Sequence, residues 1–201
     1  STVIGPRLAA AYREIDRAAQ SEDALLIQGD TGTGKELAAR RFHRQGSNAA
    51  GPFVAVNCAT IPTGLAERLL FGARKGAYSG ATQDTEGYVQ AAERGVLFLD
   101  EVAELEPQVQ AKLLRVIETR EVQPIGASRA KSVQLRFCAA THRDLRGSAF
   151  ARGFRSDLFF RLAQRQAHLP ALTERLEELP WLVASESRQR VAPLRVHARF
   201  I

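Results

Sequence analysis

No run of apolar residues in the chain approaches the roughly 18 that a membrane-spanning helix needs, which excludes a helical membrane protein. No basic segment followed by an apolar stretch and a small-residue cleavage site opens it, so a secretory signal is not read and a cytoplasmic location is expected by default. Cysteine is scarce. Cys58 and Cys138, the only two, each stand at the end of an apolar strand-like run, which excludes a disulfide framework and reads as two small reduced core residues. Methionine is missing altogether, which reads as a piece cut from a longer protein.

What is present is ordinary for a globular chain: 201 residues, 45% hydrophobic and 25% charged, enough for one domain or one and a fraction. The net charge of +6 admits nucleic acid as a partner, but the basic residues are scattered. Their one local concentration, Arg188, Arg190, Arg195 and Arg199, reads as a solvated helix face.

One stretch organises the rest. Gly29-Asp30-Thr31-Gly32-Thr33-Gly34-Lys35 fits the phosphate-loop pattern G-x-x-x-x-G-K. The apolar run Ala24–Ile27 before it reads as a buried strand, and Glu36–Phe42 after it favours helix, which is the strand–loop–helix setting the motif requires. Glycines let the backbone turn its N–H groups inward, the helix N-terminus favours anions, and Lys35 would reach the β- and γ-phosphates. The pattern departs from the general one after the lysine. Where Ser or Thr would hold Mg²⁺ the chain has Glu36, so the metal must be held from elsewhere or the site is unusual.

Read in order, Leu8, Ala11, Tyr12, Ile15, Ala18 and Ala19 recur at helical spacing after Gly5-Pro6. Phe53–Asn57 is a second strand, and Leu65, Leu69 and Leu70 mark a helix running into Phe71. Val96–Leu99 is continuously apolar, as in a strand covered on both faces, and ends in Asp100-Glu101. Pro107 opens a helix with Val109, Leu113, Val116 and Ile117 on one face, and 121–126 reads as a short extended excursion. Leu135–Thr141 is a further strand leading to His142, 154–162 is helix-like, Gln166–Leu169 is a last strand, and a helix is expected from about Thr173. Strands alternating with helices specify an α/β fold with a mainly parallel sheet sandwiched by helices. Ligands of such sheets sit at the carboxyl ends of the strands, where the phosphate loop, Asp100-Glu101 and Thr141-His142 all fall.

The chemistry follows from that convergence. Asp100, ending a buried strand beside a phosphate loop, is the expected Mg²⁺ partner, and Glu101 can polarise an attacking water. Gly76-Ala77-Tyr78-Ser79-Gly80-Ala81 has no apolar period, so it is expected to be exposed and mobile; Tyr78 is either a contact point or a ring tucked back onto the body. Arg155 and Arg161 are either surface ion-pair partners, for example Asp157 with Arg161, or arginine fingers.

These motifs together resemble the AAA+ P-loop ATPase domain of bacterial enhancer-binding proteins, the activators of sigma-54 RNA polymerase. Residues 29–36 resemble their phosphate loop, in which Glu after Lys is usual. Residues 76–81 are similar to their GAFTGA loop, residues 95–101 to their Walker B strand, 139–145 to their sensor I region, and 154–162 to the segment carrying their arginine fingers. The resemblance covers nearly the whole chain. It implies a homo-oligomeric ring, a hexamer in the full protein, with ATP held between subunits by the phosphate loop and by Asp100 through Mg²⁺. It also implies that Glu101 activates water, that Asn57 is the switch asparagine, that Thr141 and His142 sense the nucleotide, that Arg155 and Arg161 reach a neighbour's site, and that Ile4-Gly5 lies beside the adenine. The 76–81 loop would then push on sigma-54. Two departures, Tyr78 for Phe and Ser79 for Thr, leave open an alternative: a nucleotide-gated AAA+ interaction module that no longer engages sigma-54. A P-loop kinase would need an acceptor pocket that nothing in the sequence suggests. The expected division is a core over 1–171 and the beginning of a helical lid over 172–201, truncated, with DNA contacted only through a module absent from this chain.

Overall fold

A computed structural model describes residues 5–145 and 153–189. Its centre is a five-stranded, fully parallel sheet in the order β2 (Phe53–Asn57), β3 (Val96–Asp100), β6 (Arg136–Thr141), β1 (Leu25–Gln28), β7 (Arg165–His168). Register aligns Asn57 with Asp100, Leu99 with Ala139, Gln28 with Thr141 and Gln28 with His168, so all five carboxyl ends reach one edge.

The apolar runs are continuous because both faces are covered. Successive strand residues point to opposite faces. Leu25, Ile27, Phe98, Cys138 and Ala140 enter a core shared with α1 (Pro6–Ala19) and α2 (Lys35–Gln45). Leu26, Leu97, Leu99, Phe137 and Ala139 enter the opposite core, shared with α3 (Ala66–Phe71), α5 (Pro107–Thr119) and α6 (Ser156–Leu162). Both cysteines are buried and unbridged. Burial, with the negative charges of Asp100 and Glu101 adding to it, pushes the Cys58 thiol up to about 12, and burial pushes Cys138 higher still, so both stay protonated as expected of core residues.

The helical period at the start of the chain is borne out, with Leu8, Ala11, Ile15, Ala18 and Ala19 all buried and Pro6 at the first helical position. The end of α1 has a support that the sequence did not reveal. Buried Arg136 donates to the carbonyls of Ala19 (2.9 Å) and Ala18 (2.8 Å) in the last turn and stacks 4.2 Å over the Phe42 ring. A second unforeseen element is the short helix α4 (Tyr88–Ala91).

Two expectations change. The extended excursion after α5 is one arm of a hairpin, β4 (Glu121–Val122) against β5 (Lys131–Ser132), and Ile125 beyond β4 bridges Ala73. The helix expected from Thr173 begins later, as α7 (Leu179–Gln189). Residues Leu172–Glu174 and Leu176–Glu178 form single 3₁₀ turns, separated by Arg175 at φ −138°, ψ 48°, and α7 starts where Pro180 can occupy its first turn. Arg190, Arg195 and Arg199 of the basic tail lie outside the described residues. Among the described residues no helix is long and apolar enough to cross a membrane.

The β2–β3 corner is tight. An added Cβ on Gly95, just before β3, would stand 1.9 Å from the carbonyl oxygen of Pro52. Gly95→Ala is therefore expected to lower the unfolding free energy by about 3 kcal/mol, read as a shifted urea midpoint with unchanged slope. A loss below about 1 kcal/mol would mean that the corner relaxes freely.

Candidate nucleotide site

The phosphate loop is built as its composition requires. Gly32 and Gly34 take left-handed φ values of 82° and 96°, which side-chain-bearing residues rarely adopt. Gly29 is confined instead: a Cβ there would lie 2.8 Å from Thr33 Oγ1 and 2.9 Å from Leu169 O. Asp30 closes the turn, its carbonyl accepting from Thr33 N (3.2 Å) and Thr33 Oγ1 (2.8 Å), while Thr31 is exposed. Gly29 N donates to Thr141 O at 3.3 Å, tying the loop to the end of β6.

Lys35 folds back over the loop, donating to Gly29 O at 3.0 Å and Asp30 O at 3.3 Å, with its ammonium 3.4 Å from Glu101 Oε1. The loop lysine and the β3 acids therefore meet at one edge, as the motif positions require. Glu36 does not join them. Its carboxylate pairs with Arg40 (2.7 Å), both side chains largely exposed, and its charge acts on Asp100 only weakly, behind that of Glu101.

Asp100 is half-buried at the end of β3 and accepts from Glu101 N at 3.0 Å. Burial raises its pKa, the adjacent Glu101 charge raises it further, and Lys35 opposes both. A bound cation inverts that balance, and Mg²⁺ is commonly held by one or two carboxylates together with substrate phosphates, so Asp100 fits it.

Glu101 sits at φ 51°, ψ 48°, a left-handed conformation that costs a non-glycine residue of order 1–3 kcal/mol. The turn swings its carboxylate back between two donors. Oε1 faces Lys35, and Oε2 accepts from His142 Nδ1 at 2.7 Å and His142 N at 3.3 Å. Burial raises its pKa, but the two His142 bonds and Lys35 outweigh that and hold it below the usual glutamate value. The result is an ionised, oriented acceptor at the strand end. Thr141 is fully buried and its Oγ1 accepts from Arg143 N (3.0 Å).

Other expected site residues stand apart. Asn57 ends β2 beside Asp100, yet its carboxamide caps the turn at Cys58–Thr60 by accepting from Ala59 N (3.0 Å), while Glu101 is engaged by Lys35 and His142. Gly5 donates to Glu178 Oε1 (2.7 Å); Ile4 lies outside the described residues. Arg155 pairs with Asp157 (2.6 Å) and Arg161 with Glu118 (3.0 Å), both exposed, so the Asp157–Arg161 pair read from the sequence is replaced by these two.

The 76–81 loop is largely exposed, as expected, and several contacts brace it. Its neck is pinned where Ala73 bridges Thr85 and Ile125, and Asp84 takes both the Arg74 guanidinium and the Lys75 amide. At the tip Gly76 N donates to Ala81 O (2.9 Å) and Ala81 N to Tyr78 O (3.0 Å). Tyr78 remains 37% exposed, but its ring lies 5.3 Å from the Arg68 guanidinium and its hydroxyl accepts from Arg68 Nη1 at 2.9 Å. The ring is thus tucked back onto the body while remaining partly at the surface.

A parallel sheet flanked by helices, with a phosphate loop meeting two acids at the strand ends, defines a P-loop NTPase fold of the AAA+ kind. The chain belongs to the Sigma-54 interaction domain family, which matches residues 3–168. It is 45% identical over 172 residues to the transcriptional regulatory protein GlrR of Escherichia coli, covering 85% of this chain and 38% of that protein. It is 42% identical over 187 residues to the response regulator protein PilR of Pseudomonas aeruginosa, covering 93% of this chain and 42% of that one. The crystal structure of NtrX from Brucella abortus in complex with ATP matches with a TM-score of 0.86 and 34% identity, over 98% of this chain and 44% of that one. The chain thus spans less than half the length of these relatives.

Proposed function

We propose that the chain binds and hydrolyses ATP between copies of itself in a ring, a hexamer in the full protein, and uses the 76–81 loop to act on sigma-54 RNA polymerase and so activate transcription. The observation that carries this reading is the meeting of Lys35 with Glu101, one residue past Asp100, at the strand ends. Membership of the Sigma-54 interaction domain family supports the partner, and the ATP complex of the similar NtrX supports the nucleotide. In this reading Gly29–Gly34 cradle the triphosphate and Lys35 leaves its loop carbonyls for the β- and γ-phosphates. Asp100 would hold magnesium, whose chemistry there would be to neutralise charge on the phosphates. Glu101 orients the attacking water. Thr141 and His142 register the nucleotide state, Asn57 exchanges its cap at Ala59 for Glu101, and Arg155 and Arg161 serve the neighbouring copy. Gly5 and Ile4 serve the adenine, and the segment from residue 172 begins a helical lid.

Gly76, Ala77, Tyr78, Ser79, Gly80 and Ala81 form the partner-binding tip. The Arg68–Tyr78 contact favours a second reading, an interaction module whose retracted aromatic no longer engages sigma-54. The test is capture of sigma-54 by the chain with a transition-state analogue of ATP. Capture that needs the analogue and is lost in Lys35→Ala is expected. Binding of the analogue without capture would overturn the sigma-54 reading.

A further inference from the structure

We propose that Arg175 and Glu178 are positioning residues for the phosphate loop, a buried clasp that sets the direction of the Gly34 amide from the segment following β7; the proposal rests on the nucleotide-binding reading above. Arg175 Nη2 donates to Thr33 O at 3.0 Å, across 142 residues of sequence, and Nη1 donates to Glu178 Oε2 at 2.7 Å. The other oxygen of Glu178 accepts from Gly5 N at 2.7 Å, at the start of α1. One ion pair therefore joins the phosphate loop, the amino end of α1 and the approach to α7.

The consequence lies in the peptide between Thr33 and Gly34. In a planar trans peptide the C=O and the following N–H point in opposite directions. A guanidinium that holds the Thr33 carbonyl therefore fixes the Gly34 amide on the far side. Inside the loop Thr33 is held through its amide and hydroxyl, both on Asp30 O, while its carbonyl is followed by Gly34, whose left-handed backbone tolerates rotation, so the guanidinium is the hold on that peptide. Amides of such loops are the groups that bind phosphate, and Gly34 is the last before the helix. Thr33 O is thus where a residue outside the loop can control its binding face.

The burial of the pair is poorly explained by stability. The two side chains are 7% and 2% exposed, and Arg175 Nε is buried with no hydrogen-bond partner among the described residues. Apolar residues of similar volume commonly replace a buried ion pair without loss of stability, so a pair retained with one donor unsatisfied points to a directional task. Glu178 serves the same task by fixing the guanidinium.

The test compares the full chain with Arg175→Met/Glu178→Leu, which removes both charges together, and with Arg175→Lys, whose single ammonium lacks the fork that reaches Glu178 and Thr33 at once. The double variant is expected to melt near the wild-type temperature. Both variants should bind a non-hydrolysable ATP analogue about tenfold more weakly, the worth of one well-placed hydrogen bond. KM for ATP should rise by a similar factor with kcat within about threefold, because a loop amide contacts the phosphates in ground and transition states alike. Unchanged analogue affinity in folded variants would overturn the clasp. Should the double variant fail to fold, Arg175→Lys decides on the same affinity. Failure of the wild-type chain itself to bind the analogue would instead remove the nucleotide-site reading on which the clasp depends.

Discussion

Glu101→Gln should bind ATP as the wild type does and turn it over about 10³-fold more slowly, within the 10²–10⁴ that a positioned general base or water-orienting carboxylate contributes. The substitution keeps shape and removes charge. It leaves the backbone turn at φ 51° and the Glu101 N to Asp100 Oδ1 bond untouched, because both belong to the main chain. The amide can still accept from one donor, but it has one oxygen where the carboxylate offers two, to Lys35 on one side and His142 on the other. Binding should survive because the loop amides and Lys35, not Glu101, are the proposed grip on the triphosphate. Turnover fails because a neutral amide polarises water weakly. Titration calorimetry with a non-hydrolysable analogue, alongside steady-state phosphate release, separates the two. Turnover within about threefold of wild type would reassign the water-activating role to another group.

The carboxylate's surroundings make the same point electrostatically. His142 and Lys35 together hold Glu101 below its ordinary pKa despite burial, which suits a group that must stay ionised while orienting a water rather than keep a proton. Asp100, one residue earlier, is pushed the other way by burial and by Glu101, which suits a group awaiting a cation. Adjacent residues on one strand end are thus pushed in opposite directions by the neighbours each one meets.

How much of this is legible in the sequence depends on the sequence distance between interacting groups. The phosphate loop is local: its glycines, its lysine and the flanking strand and helix lie within about 20 consecutive residues, and each is found where the motif requires. The strands were legible because burial on both faces leaves continuous apolar runs, as in Val96–Leu99. Asp100 and Glu101 could be placed because parallel strands bring their carboxyl ends to one edge. What stayed hidden joins residues far apart. Nothing at Arg136 announces that its guanidinium ends α1, 117 residues earlier. Nothing at Arg175 announces Thr33. The late start of α7 was masked by leucines at 172 and 176, which imitate a helical period yet remain 39% and 57% exposed, because Arg175 leaves the helical region between them. Tyr78 could not be decided by composition, since its partner Arg68 lies on α3 and only the folded chain brings the two together.

Arg155→Ala is expected to abolish most ATP turnover by itself, and to regain it when mixed with Lys35→Ala. In the described structure the Arg155 and Arg161 guanidiniums are engaged by Asp157 and Glu118, outside the cluster formed by Lys35, Asp100, Glu101 and His142. Arg155 is 44% exposed on its side chain at the amino end of α6, and an exposed, solvent-screened pair of this kind contributes little to stability. Loss of the Asp157 contact is therefore a small structural effect, whereas loss of a finger costs about 10³–10⁵ in rate. The size of the defect separates the two roles. A guanidinium that does not reach its own loop can act on phosphates only in a second copy, through a head-to-tail contact of the sort that closes rings. In a random equal mixture, a site with intact Lys35 follows a neighbour with intact Arg155 in one half times one half of the interfaces, so about a quarter of wild-type turnover should return. Co-purification of differently tagged variants would establish that mixed assemblies form. If they form and turnover stays at the level of the separate variants, Arg155 acts within its own chain or not at all, and the proposal of a shared site falls.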